Sequence, residues 1–85
     1  MTLLIAAEAR GEAALPAAVS TAMLKGDSLL KALRHWRGQT QAAVAELAGI
    51  NQGYLSELET RAKTGSPETL DKLALALEVP RGWLG

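Results

Sequence analysis

The chain has 85 residues, 9 basic against 9 acidic for a formal net charge of zero, 48% hydrophobic residues and no cysteine. One small domain near the lower size for independent folding is what such a length allows. Disulfides and thiolate metal sites are excluded, and bulk charge by itself announces no nucleic-acid partner.

The opening "MTLLIAAEARGEAALPAA" has an apolar run too short to span a membrane and lacks the basic n-region of a signal peptide. Together with the absence of cysteine, this reads as a soluble, cytoplasmic protein. Within it "TLLIA" predicts a short strand, and Gly11-Glu12 a turn. A helix follows through "LPAAVSTAMLKG", with Pro16 in its first turn, Gly26 past its end, and Leu15, Val19 and Met23 on one face.

The next helix is capped by Asp27 or Ser28 and runs through "LLKALRHWR". Leu29, Leu33 and Trp36 recur at helical spacing with Leu30 beside them, so that side should be buried. After Gly38, Thr40 caps a helix from Gln41 to Ala48, which Gly49 stops by entering the left-handed region without penalty. Asn51 caps a further helix, through about Glu59. "RAKTG" is a polar loop. "SPETLDKLALALEV" opens with Ser66 as cap, Pro67 in first position and Asp71 near its positive end, and buries Leu70, Leu73, Ala74 and Leu77. Pro80 starts a last turn that lays Trp83 and Leu84 over the core. With no phenylalanine and much alanine, the expected fold is all-α, closely packed around leucines and two tryptophans.

"TQAAVAELAGINQGYLSELE", Thr40 to Glu59, carries the functional signal. Val44 and Ala48 share a face of its first helix, and Leu55 and Leu58 share a face of its second. Ile50 plugs the corner, and Ala45 stands where the helices approach closest. With Gly49 between them, the helices cross steeply, and the second can enter a major groove about 12 Å wide. A plain helical hairpin shows the same leucine spacing but does not need this order of small residue, glycine and apolar plug. The second helix has two glutamates and no cation, yet Lys31, Arg34, Arg37, Arg61 and Lys63 flank the stretch.

At these residues the chain resembles the helix-turn-helix of the lambdoid phage repressor and Cro family, also called the XRE family. The likeness rests on Thr40-Gln41, Ala45, Gly49-Ile50, Tyr54-Leu55-Ser56, Leu58-Glu59, Val79 and Trp83-Leu84. It implies a Cro/repressor-type domain at 28–85, a compact five-helix, lambda repressor-like bundle that binds double-stranded DNA as a twofold homodimer. Residues 1–27 are then an N-terminal extension, strand plus helix, for dimerisation or partner binding.

By this resemblance Gln52 leads the base readers, because an amide pairs bidentately with adenine. Gly53 and Glu57 stand at the other reading positions. Gly53 offers no side chain, and Glu57 departs from the usual amide or cation. A carboxylate accepts from cytosine N4 but repels phosphate, so selectivity by repulsion is its alternative role. Thr40, Gln41, Asn51, Ser56, Thr60, Arg61 and Lys63 match phosphate-holding positions, with a solvated loop as the alternative for Arg61 and Lys63. Arg34 and Glu59 match an internal ion pair, structural like Ala45, Gly49 and Ile50.

The implied function is a repressor on a palindromic operator. The leading helix before this domain also resembles HigA-like antitoxins, which bind a toxin protein and repress their own operon. Leu3 to Ala7 would then be a pairing edge, in the dimer or with a toxin, with a frayed or locally packed terminus as the alternative. Zero net charge and Glu57 motivate a different class, an interaction adaptor that keeps the fold without binding DNA. Enzymatic chemistry has little footing: there is one histidine, His35, and no nucleophile elbow. "GINQG" lacks the lysine and preceding strand of a phosphate-binding loop. No cofactor or metal is expected.

Overall fold

Four of the helix starts are written in side-chain chemistry. In the computed structural model, which describes residues 14–85, Ser28 Oγ accepts from the Lys31 amide at 3.2 Å. Thr40 Oγ1 accepts from the Ala43 amide at 3.1 Å, Asn51 Oδ1 from Gly53 at 2.7 Å, and Ser66 Oγ from Thr69 at 3.2 Å. Each bond satisfies an amide that the first turn leaves without a partner. They open α2 (Leu29–Trp36), α3 (Gln41–Ala48), α4 (Gln52–Glu59) and α5 (Pro67–Leu77). Before them lies α1 (Ala17–Leu24), and after them a 3-10 turn, Arg81–Leu84. Among the described residues there is no strand, and no helix is long and apolar enough to cross a membrane. The strand expected at "TLLIA", the turn at Gly11-Glu12 and the edge Leu3 to Ala7 lie outside the described residues.

Every α-helix sends at least one side chain into the fully buried centre: Val19, Leu33, Val44, Leu55, Leu73 and Leu77. Alanines 32, 45, 48, 74 and 76 fill the space between, which lets helices approach closely without large side chains. α1 packs on α2, α2 on α4, α3 on both α4 and α5, and the 3-10 turn on α5. The α3–α4 pair is thus held from both sides.

Four local expectations change. Pro16 is the N-cap of α1 rather than a residue of its first turn, its carbonyl accepting from the Val19 and Ser20 amides. Trp36 is 38% exposed rather than buried, because α2 ends there and leaves the ring at the rim of the core. The ring leans on Trp83, centroids 6.2 Å apart at 53°, and the Arg37 guanidinium covers it at 4.4 Å. α5 stops at Leu77, two residues early, because Glu78 takes the left-handed conformation at φ 55°. Asp71, expected to serve the helix dipole, instead bonds Arg81 Nε at 2.6 Å and ties α5 to the terminal turn.

Candidate nucleic-acid interface

The turn between α3 and α4 is closed by backbone. Gly49 sits at φ 68°, its amide bonding Glu46 O at 3.1 Å, while the Ile50 amide reaches Ala45 O at 3.0 Å. This left-handed cap ends α3 and drops Ile50 against the core. Ala45, 3% exposed, leaves room for the crossing. α4 therefore buries Leu55, Leu58 and Glu59, and turns Gln52, Gly53, Ser56, Glu57 and, just past its end, Thr60 outward. Gly53 also serves the cap: a β-carbon there would lie 3.0 Å from Asn51 Oδ1, pressing on the acceptor its own amide uses.

A chain of side-chain bonds runs from the interior to this outer arc. Glu59, 7% exposed, receives Arg34 through both carboxylate oxygens, Nε to Oε2 at 2.7 Å and Nη2 to Oε1 at 3.0 Å. Arg34 Nη1 also donates to Gln39 O at 3.1 Å. Such fork-on-fork geometry suits a guanidinium and fixes direction as well as charge. Gln41 Nε2 donates to Glu59 Oε1 at 3.3 Å, and Gln52 Nε2 donates to Gln41 Oε1 at 3.3 Å. The first residues of α3 and α4 are thereby linked to each other and to the ion pair beneath. One amide hydrogen and the carbonyl oxygen of Gln52 are left unused by this bond.

At the opposite end of α4 the chain reverses. Arg61 takes φ 64°, and the Ala62 and Lys63 amides return to Glu57 O at 2.8 and 3.3 Å. Thr60 Oγ1 donates to the same carbonyl at 3.2 Å. The reversal brings Lys63 Nζ within 3.5 Å of Glu57 Oε1. Arg61 Nη2 reaches Asp27 O at 3.4 Å, bridging to the α1–α2 loop. A polar cleft of about 450 Å³ opens here, lined among others by Ser28, Lys31, Gln41, Ser56, Thr60 and Arg61. Both glutamates of α4 thus face a cation, Glu59 inside the molecule and Glu57 at its surface.

Sequence reasoning grouped Arg37 with the flanking bases, but it donates to Leu77 O at 2.8 Å and to Glu78 O, holding the open carbonyl end of α5. It missed the link between Gln41 and Gln52, for which two glutamines at the first positions of consecutive helices were the available signal. From the sequence Lys31 is one more flanking charge. It lies on the same cleft as Arg61, with Asp27 3.8 Å away.

A family model described as a helix-turn-helix domain matches residues 28–82. No curated protein and no solved structure matches the chain.

Proposed function

We propose, on the premise that this chain belongs to the helix-turn-helix domain family, that it is a sequence-specific DNA-binding repressor acting as a homodimer on a palindromic operator. The observation that carries the reading is the bond between Gln52 and Gln41, which pre-positions an amide on the outward arc of α4. α4 enters the major groove, and Gln52 pairs with adenine there. Gly53 lets the backbone approach, and Glu57 stands at the third reading position. Thr40, Gln41 and Asn51 hold phosphate near the helix starts, Ser56 midway along α4, and Thr60, Arg61 and Lys63 just past its end. Phosphate contacts set the register while the arc of α4 reads sequence.

In this reading residues 28–85 are the DNA-binding unit and 1–27 serve dimerisation or a partner. A narrower form makes the protein an autoregulating antitoxin. It is supported by α1, which precedes the matched residues and carries Leu24 at 89% exposure, an apolar contact for a toxin protein. The adaptor alternative loses part of its motive once Glu57 faces Lys63.

The test is fluorescence anisotropy with a labelled duplex from upstream of the protein's own gene, against a scrambled duplex, at two salt concentrations. The repressor reading expects tighter binding to the native duplex, falling steeply with salt as condensed counterions are released. If neither that duplex nor any sequence selected from a random pool binds more tightly than about 10⁻⁴ M, the weak end of non-specific affinity, the adaptor replaces it.

A further inference from the structure

The acidic residue on the outer arc of α4 is not placed alone. Its carbonyl receives three donors from the loop that follows, Thr60 Oγ1 and the amides of Ala62 and Lys63. The left-handed Arg61 makes that reversal, and with it the Lys63 side chain returns to Glu57. The side chains of the pair remain 57% and 44% exposed, so it adds little to folding stability. Its consequence is local: an arc that must approach a polyanion carries a carboxylate whose charge is offset, and whose Oε1 is turned toward the loop.

We propose that Glu57 and Lys63 act as one cytosine-reading unit, in which Glu57 Oε2 accepts from the N4 amino group of a cytosine and Lys63 is its positioning residue. The inference rests on the DNA-reading function above. Each base pair shows the major groove a distinct pattern, and only cytosine N4 and adenine N6 donate there. A carboxylate has acceptors alone, so it discriminates against the acceptor-rich edge of guanine. Adenine N6 stands between two acceptors, its own N7 and the thymine O4, which repel the second carboxylate oxygen, whereas cytosine N4 has the guanine O6 on one side only and C5–H on the other. An unpartnered carboxylate would also be pushed off by the phosphates on either side of the groove. The Lys63 ammonium, 3.5 Å from Oε1, offsets part of that repulsion. It has three donors, so the pairing with Glu57 leaves others for a phosphate.

Selection from a random duplex pool tests this with the 85-residue wild type, Glu57→Gln and Lys63→Ala. The wild type should enrich cytosine at one position of each half-site, with at least about tenfold discrimination against guanine there. Glu57→Gln should move that preference to adenine, the base an amide pairs with bidentately. Lys63→Ala should cut discrimination at that same position by about tenfold while the Gln52-dependent position keeps its preference. Circular dichroism of each variant checks that the fold is retained. If Lys63→Ala weakens all duplexes equally and alters no base preference, Lys63 is a phosphate contact alone and the unit is overturned. Unchanged preference in Glu57→Gln overturns it as well, with the regulator reading intact. A wild type that enriches nothing brings down both.

Discussion

Gln52 on α4 and Gln41 on α3 share a hydrogen bond of 3.3 Å across the turn, and Gln41 passes it on to Glu59. The leading candidate for base reading is therefore oriented before any DNA arrives, and less side-chain entropy remains to be lost on binding.

Replacing Gln52 by Ala should cost about 1–3 kcal/mol on the preferred duplex and leave random duplexes nearly unaffected. Gln41→Ala should weaken the preferred duplex too, but the two losses should not add, since each substitution breaks the same bond. Anisotropy titrations of both single variants and the double variant measure the coupling. Strict additivity would mean that Gln41 does not orient Gln52.

Glu59 is nearly enclosed and holds Arg34 by two bonds. Truncating it to Ala leaves the guanidinium without its counter-charge, at a cost of about 3–5 kcal/mol. In a domain of this size that approaches the whole folding free energy. Urea unfolding followed by circular dichroism should show a large fall in midpoint or no folded baseline at all.

Arg61 and Glu78 are the two non-glycine residues with positive φ among those described, at 64° and 55°. Left-handed backbone costs a side-chain-bearing residue about 1–2 kcal/mol, and glycine's greater freedom when unfolded takes back roughly 0.5–1. Arg61→Gly and Glu78→Gly should each raise stability by up to about 1 kcal/mol in urea titrations. Their DNA affinities should part: Arg61→Gly weakens binding to every duplex and flattens the salt dependence, while Glu78→Gly leaves both in place.

Val19 is fully buried although it lies ahead of the matched residues 28–82. Val19→Ala removes two methyl groups from the closed core and leaves a void, so it should destabilise the whole domain by about 2–3 kcal/mol. A urea midpoint within error of the wild type would show that α1 packs loosely in solution.

How much of this could be read beforehand follows from how local each cause is. Ser28, Thr40, Asn51 and Ser66 cap through amides two or three residues away, so their chemistry is present in a short window of sequence. Gly49 is legible for the same reason, since its left-handed turn needs no distant partner. Arg37 was not legible, because its acceptors belong to Leu77 and Glu78 at the far end of another helix. Trp36 read as core by spacing, yet spacing does not tell that α2 stops beneath it. The reversal at Arg61 was hidden for a different reason: sequence habit assigns positive φ to glycine, and here arginine takes it. The pairing of Lys63 with Glu57 depends on that reversal and was hidden with it.

The two tryptophans of this chain, Trp36 and Trp83, meet at one corner, with Arg37 laid over the first and gripping the end of α5. Tryptophan emission, excited beyond the tyrosine band, therefore reports on that corner alone, while α4 carries Tyr54 and no tryptophan. A ligand seated on α4 should leave the emission spectrum nearly flat, and detachment of the C-terminal turn should shift it to the red. Circular dichroism, in contrast, samples every helix at once. The molecule thus comes with two independent optical channels, and whether their unfolding curves coincide measures whether this corner melts together with the rest.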